Sequence, residues 1–239
     1  MTTWGPALFL PFRNSLYRGH ARLIGRNVLI HDVSSRAAQA VAVAYSREAA
    51  MVFIPVGIQE IAAIALCDVI VKEGGRAGLV QGGTEQERST SLRCILPYGH
   101  LDVVLNFATP LGTPFGDAND SPSEGTTAAG MIAPTIAALA AHHCAPRLVI
   151  SAIFDINDDC GDRDEDFAIE EAAHLDLSQT LRDWNVRVNA VRVSTAQLNT
   201  SGGDLEAYLE EVAMAFVYLA TDEAADMNGL ILAKEIALH

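Results

Sequence analysis

The sequence predicts a single doubly wound α/β domain, with about seven parallel strands in one sheet and helices on both of its faces. Short β-branched runs alternate along the chain with longer segments of helical periodicity, which is typical of βαβ units on a parallel sheet. The 239 residues suffice for one domain of this class. Half of them are apolar and 19% are charged, which is an ordinary composition for a globular protein.

The first half of the chain is predicted to contain four strands and three helices. The strands are short apolar runs over 27–30, 51–56, 77–81 and 101–106. The helices between them cover 35–48, 58–73 and 84–96. The helix over 58–73 is followed by Gly74-Gly75, and glycine is the residue that most often follows a helix.

The second half is predicted to contain three strands and three longer helices. The strands cover 148–153, 187–193 and 230–232, and the helices cover 121–143, 164–183 and 205–219. Ser121-Pro122-Ser123-Glu124 has an N-cap hydroxyl, a proline at the first helical position and a carboxylate at the third, which is typical of a helix start. Pro134 predicts a kink near Gly130. In the last helix, apolar residues recur at three- and four-residue steps.

Charge and composition exclude several functional classes. Sixteen basic and thirty acidic residues give a net charge of −14, and no basic run occurs, so we expect neither nucleic-acid nor anionic-membrane binding. No apolar run has the length of a membrane helix, and the four cysteines lack the spacing of a zinc or disulfide scaffold. These features favour a cytoplasmic protein with an N-terminal extension over 1–26 and one domain over 27–239.

Three segments resemble the short-chain dehydrogenase/reductase family, whose fold is Rossmann-like. Residues 101–108, L-D-V-V-L-N-F-A, are similar to the family's fourth strand, L-D-V-L-V-N-N-A. Residues 186–191, V-R-V-N-A-V, are similar to its sixth strand. Residues 216–229 are similar to its C-terminal F-L-A-S-D-E-A-x-x-x-T-G. Because the three segments occur in the family's order, the resemblance covers nearly all of residues 24–236.

The family's phosphate-binding loop, T-G-x-x-x-G-x-G, corresponds to residues 31–38, in which Asp32, Arg36 and Ala38 replace the three glycines. A Cβ at these positions hinders close approach of the backbone to a pyrophosphate, and the Asp32 carboxylate adds repulsion. One hypothesis is that Arg36 fills the phosphate site and pairs with Asp32. The second asparagine of the family's N-N-A-G is Phe107. We therefore expect that this chain itself binds no nicotinamide cofactor.

The family's catalytic tyrosine and lysine, Y-x-x-x-K, occur nowhere in this sequence. In that family the tyrosine is the general acid/base, and the lysine lowers the tyrosine pKa and holds the nicotinamide ribose. An ungapped register places Arg163 and Phe167 at these two positions, whereas a four-residue deletion places Phe167 and Glu171 there. The family's active-site asparagine corresponds to Thr127, and Ser151 lies near its serine.

Three other groups of polar residues have both a functional and a simpler interpretation. The acidic segment 155–166 partly matches a calcium-binding loop, but Cys160 replaces the required glycine, so a solvated loop is favoured over a metal site. His142-His143 is interpreted as a helix end. His31 and Asp32 either form an acid/base pair in a cleft without cofactor or His31 fills the cavity.

These losses predict a non-catalytic structural subunit of a hetero-oligomeric short-chain dehydrogenase. The resemblance implies an intact paralogue as partner, contacting helices 121–143 and 164–183 and carrying the NAD, as in 3-hydroxyacyl-CoA dehydrogenases of aromatic-compound degradation. One alternative is a cofactor-independent lyase, isomerase or dehydratase using His31, Asp32, Ser151 and Arg163. A further alternative is an atypical NAD(P)-dependent oxidoreductase.

Overall fold

The computed structural model describes residues 17–56, 60–81, 100–107, 127–141, 145–155, 163–199 and 203–232. Within them, seven parallel strands form one sheet in the order β3-β2-β1-β4-β5-β6-β7. The strands are β1 (Asn27–Ile30), β2 (Met51–Val56), β3 (Arg76–Gln81), β4 (Val103–Asn106), β5 (Leu148–Asp155), β6 (Arg187–Ser194) and β7 (Ile231–Leu232). All residues of β1 and β4 are buried, because helices cover both faces of the central strands.

The helices of the described residues connect these strands or follow them. They are α1 (Arg36–Arg47), α2 (Glu60–Lys72), α3 (Ala128–Ala141), α4 (Arg163–Arg182), the single turn α5 (Thr195–Leu198) and α6 (Gly203–Ala220), followed by a 3₁₀ turn over Asp222–Ala224. None of the described helices combines the length and the apolar character needed to cross a membrane.

The predicted fold class is confirmed. The bounds of β1 and β2 agree with the prediction, and those of the other strands differ by no more than two residues at either end. The predicted helix over 84–96 lies outside the described residues, as do 121–126 and 142–143 of the predicted helix over 121–143. The kink predicted near Gly130 stays a prediction.

Two apolar clusters lie on opposite faces of the sheet. Helices α1 and α6 pack on one face, where the rings of Phe107 and Phe216 stack with centroids 4.9 Å apart. The buried Tyr45 hydroxyl donates to the Phe216 carbonyl at 2.7 Å and joins α1 to α6. Helices α3 and α4 pack on the other face through residues such as Ile132 and Leu177.

Residues 17–26 are fastened to the domain by the buried carboxylate of Glu48, at the C-terminal end of α1. This carboxylate accepts hydrogen bonds from the Tyr17 hydroxyl, from the amides of His20 and Arg22 at 3.0 and 2.8 Å, and from the Arg22 guanidinium at 2.6 and 2.9 Å. Gly19 has a φ of +78°, and a Cβ there would lie 2.1 Å from the Arg47 carbonyl oxygen. We call this arrangement the Glu48 clasp.

Candidate functional site

The strand order reverses between β1 and β4, since β2 follows β1 on one side and β5 follows β4 on the other. In open α/β sheets, ligands bind in the crevice outside the carboxyl ends of the strands at such a reversal. The pairing of β1 with β4 continues one residue beyond Ile30, where the His31 amide donates to the Leu105 carbonyl at 2.7 Å. Residues 31–36 and the residues after β4 therefore border the candidate site.

The loop that follows β1 is closed by its own side chains. The Asp32 carboxylate accepts from the Ser34 amide at 2.7 Å. Ser35 is the N-cap of α1, and its hydroxyl accepts from the Ala38 amide at 3.0 Å. Two amides that a bound phosphate could use are thus satisfied within the loop.

The hypothesis that Arg36 pairs with Asp32 is wrong. The Arg36 side chain is exposed, and Asp32 forms neither an ion pair nor a hydrogen bond with it. Asp32 does not pair with His31 either, so the acid/base pair, one of the two alternatives for these residues, does not form. The physical reason is local. The Asp32 carboxylate lies two residues before the Ser34 amide, and closing this Asx turn is easier than reaching the Arg36 guanidinium.

The loop does not fit the close backbone approach that a pyrophosphate makes to a glycine-rich loop. Ala37 and Ala38 are fully buried in the apolar core, and each has a Cβ that a glycine would lack. The rim of the loop fits a phosphate better, since the first turn of α1 contains no acidic residue and presents the exposed Arg36. The residues present thus fit a phosphate held by a side chain at the rim.

The positions after β4 and before α3 have structural roles. Phe107, at the position of the family's second asparagine, is 1% exposed and packs in the core beside Phe216. It therefore offers no polar group to a ligand. Asn106, which matches the first asparagine, is fully buried at the end of β4. The Thr127 hydroxyl accepts from the Gly130 amide at 3.1 Å and caps α3.

Three polar side chains are buried between the sheet and the helices α3 and α4. The Thr135 and Ser151 hydroxyls and both ring nitrogens of His174 make no hydrogen bond in the described structure. Burial lowers the pKa of His174 to about 4, so the ring is neutral at pH 7. Ser151 is only 2% exposed and faces this layer, hence it has no general base as partner.

Phe167, which the resemblance places at a catalytic position of the family, lies beside a cation. The guanidinium carbon of Arg192, on β6, lies 4.4 Å from the ring centroid of Phe167, on α4. Arg163 is the first residue of α4, and its side chain lies outside the described parts. The structure thus brings Phe167 and Arg192 together. The sequence analysis did not single out Arg192, because its local pattern is that of an exposed polar residue in a strand.

The predicted acidic loop and the histidine pair lie outside what can be described. Residues 156–162 are outside the described ranges, as are His142 and His143. Among the described residues, no group of three His, Cys, Asp or Glu side chains could hold a metal ion. The preference for a solvated loop over a calcium site therefore stays a prediction.

Comparison with known proteins gives structural matches only. No family model matches the chain, and no curated protein does. The fold matches LugOII, a promiscuous reductase that catalyses a keto-reduction during lugdunomycin biosynthesis, with a TM-score of 0.64 and 21% identity over 90% of this chain and 96% of that one. It also matches a 7α-hydroxysteroid dehydrogenase complexed with NADH (TM-score 0.65, 18% identity, 89% and 94% coverage). A third match is a short-chain dehydrogenase from Burkholderia cenocepacia in complex with NADP (0.62, 18%, 89% and 97%).

These matches overturn the predicted function. The similar structures are reductases and dehydrogenases, several of them with NADH or NADP bound, and none is described as a non-catalytic subunit. The expectation of a structural subunit is therefore wrong, and a lyase, isomerase or dehydratase is equally without support. The prediction inferred a function from missing motif residues alone, and a motif is only one of the ways in which a fold can hold its ligands. The chain has the fold of the short-chain dehydrogenases and reductases.

Proposed function

We propose that the chain is a divergent member of the short-chain dehydrogenase/reductase family and an oxidoreductase that acts on a carbonyl or hydroxyl group of a small molecule. One observation carries this proposal: the seven-stranded sheet and its helices match reductases of this fold over about nine tenths of the chain. The three sequence segments that resemble the family support it, because they lie at β4, at β6 and from the end of α6 onward, in the family's order.

The cofactor of this reaction is a nicotinamide dinucleotide bound at the crevice beyond β1 and β4. When bound, it supplies the hydride. Arg36 at the N-terminus of α1 would hold a phosphate of the cofactor through its side chain, in place of the glycine backbone. Asp32 opposes this binding, since one carboxylate about 4 Å from a phosphate charge costs about 1 kcal/mol in water and about 4 kcal/mol at an effective dielectric of about 20.

A titration with NADH and NADPH tests the proposal. We expect saturable binding, measured by calorimetry or by the fluorescence of the reduced nicotinamide. Arg36→Ala is expected to weaken it about tenfold, because a charge-assisted hydrogen bond is lost. Asp32→Asn is expected to strengthen it about fivefold or more, because a repulsive charge is removed while the side-chain oxygen can still accept from the Ser34 amide.

Arg147→Gln is the matched control. Arg147 is exposed and lies just before β5, at the amino ends of the strands and therefore away from the crevice at their carboxyl ends. If neither cofactor binds at millimolar concentration, the proposal fails. That outcome would confirm the sequence-based prediction that this chain holds no nicotinamide cofactor.

Association with an intact paralogue through the helices over 121–143 and 164–183 stays a proposal. Ile169 and Leu175 on α4 support it, since 52% and 40% of these apolar side chains are exposed. Native mass spectrometry of the protein purified from its host tests it, and the expected result is a complex with a second chain of similar mass that has Y-x-x-x-K. A monomer or a homo-oligomer alone would contradict it.

A further inference from the structure

Helix α2 carries an apolar stripe on a side that the described structure leaves uncovered. Ile64 and Val71 are 46% and 54% exposed, and the partly exposed Cys67 lies between them at steps of three and four residues. Helix α1 packs against α2 on the side of β1, so the exposed stripe lies on the other side, toward the edge of the sheet formed by β3. Surface helices usually present polar residues away from the core, hence this stripe indicates a surface that another element covers.

Strand β3 is the end strand of the described sheet and lacks the usual protection of an edge strand. Natural edge strands are often very short or contain proline or lysine, whereas β3 has six residues, no proline and a single charged residue, Arg76, at its start. Leu79 is 42% exposed. It lies on the same face as α2, because Ala77 packs in the cluster of α1 and α2 while Val80 packs in the cluster on the other face. Such an edge can pair with a further strand.

A single two-fold axis at this edge can pass beside both elements. Because β2 and β3 are parallel, α2 runs opposite to β3, and the chain turns back between Lys72 and Arg76. Cys67 lies about 8 Å before Lys72 along the helix, and Leu79 lies about 10 Å after Arg76 along the strand. The middle of the apolar stripe is therefore level with Leu79.

The spacing across the sheet fits the same axis. Helix α2 contacts both β2 and β3, so it lies above the space between them. Strands are about 4.8 Å apart, and an axis half a spacing beyond β3 places α2 about 10 Å from its symmetry copy. Packed helices are about 8–10 Å apart. Antiparallel packing of the two helices puts Ile64 opposite Val71 of the second copy and Cys67 opposite its own counterpart.

The charges at this edge also suit a second copy of the chain. Glu60 is the first residue of α2, whereas Lys72 and Arg76 lie at the end of α2 and the start of β3. A two-fold axis brings the acidic end of each copy level with the basic end of the other. With Asp68, α2 and β3 carry two acidic and two basic residues, so this edge is balanced in a chain whose net charge of −14 opposes self-association elsewhere.

We propose that two copies of this chain associate edge to edge, with β3 antiparallel to β3 of the second copy and the two α2 stripes packed across the two-fold axis. One continuous sheet then extends through both subunits. The interface involves neither α3 nor α4, so it leaves room for the proposed paralogue. It does not depend on the proposed oxidoreductase function.

Sedimentation velocity of the purified full chain at micromolar concentrations tests the association. The expected mass is that of two chains. Leu79→Lys and Ile64→Glu are each expected to raise the Kd of the dimer at least tenfold, because each brings a charge into the apolar contact and, near the axis, beside its own copy. Ile169→Glu is the matched control, since Ile169 is an equally exposed apolar residue on α4, and it is expected to leave the Kd unchanged.

Chemical cross-linking tests the antiparallel arrangement. A variant in which Cys67 is the only cysteine is treated with a short bismaleimide; the other three positions, Cys94, Cys144 and Cys160, are changed to serine. A covalent dimer is expected on a denaturing gel, because the two Cys67 side chains face each other across the axis. Adding Leu79→Lys to this variant is expected to abolish the cross-link.

Three outcomes would overturn the inference. A monomer at micromolar concentrations would exclude the association. A dimer whose Kd is unchanged by both Leu79→Lys and Ile64→Glu would place the interface elsewhere. A dimer that does not cross-link through Cys67 would exclude the antiparallel packing of α2. Circular dichroism confirms that each variant is folded, and none of these results depends on the titration with NADH and NADPH.

Discussion

The Glu48 clasp gives the sharpest test of how the fold is held together, through the variant Glu48→Gln. Burial alone would raise the pKa of Glu48, but the hydrogen bonds from Arg22, Tyr17 and the two backbone amides outweigh it and hold the pKa at about 2. The pKa of Glu48 in the folded protein is thus below its ordinary value of 4.5, so folding favours the charged carboxylate.

The size of the effect follows from linkage between protonation and folding. The difference between 4.5 and about 2 corresponds to about 3 kcal/mol of stability at 1.36 kcal/mol per pH unit. Because the folded-state pKa is the lower one, this stability is present above pH 4.5 and is lost as the pH falls from 4.5 through 2. Glu48→Gln is expected to lose about 3 kcal/mol at pH 7 and to show no further loss in that acid window from this position.

Urea unfolding followed by circular dichroism, at pH 7 and at steps between pH 5 and 2, measures both quantities. Glu73→Gln is the control, since Glu73 forms a partly exposed ion pair with Arg47 at 2.9 Å and such pairs contribute about 0–1 kcal/mol. Equal stability of the two variants at pH 7 would refute the reasoning, because it would mean that burial of the carboxylate cancels all of its hydrogen bonds.

Two further predictions concern His174 and Gly19. Burial lowers the pKa of His174 from 6.5 to about 4, so the free energy of unfolding is expected to fall by about 3 kcal/mol as the pH falls from 6.5 through 4. His174→Leu is expected to remove this loss from acid-unfolding curves. If the curve of the variant equals that of the wild type, the pKa of the buried ring is not lowered. Gly19→Ala places a Cβ 2.1 Å from the Arg47 carbonyl oxygen at a positive φ, and it is expected to destabilise the fold by more than about 2 kcal/mol. Gly25→Ala is its control in the same unfolding assay, since its φ is +75° but its Cβ would meet nothing within 4 Å, and equal costs would exclude the clash as a cause.

The strands and most helices could be predicted because their signals are local. The runs that became β1 and β2 are mostly buried, so a nearly continuous series of apolar residues marks their limits. The single turn α5 was not predicted, since four residues capped by Ser194 leave too short a pattern. The clasp was missed for another reason, because Tyr17 and Glu48 are 31 residues apart and nothing in either segment indicates the other.

The sequence shows which motif residues of the family are absent, but it does not show what the side chains at those positions contact. Motif comparison indicated that Asp32, Arg36 and Ala38 stand at the glycine positions, but the partner of Asp32 is the Ser34 amide and not the predicted Arg36. The resemblance placed Phe167 at a catalytic position of the family, and this stays a prediction. Arg192 lies 25 residues further along the chain and meets Phe167 only through the packing of α4 on β6. A contact of this kind depends on tertiary structure, to which a single sequence gives no access.

The contact between Arg192 and Phe167 also limits which side chains position 167 can hold. Replacing Phe167 by lysine would place an ammonium beside the guanidinium, and two like charges about 4 Å apart repel by about 1 kcal/mol in water and about 4 kcal/mol at an effective dielectric of about 20. A second cation at position 167 is therefore expected to destabilise the fold unless position 192 changes as well. The side chains that these two positions can hold depend on each other.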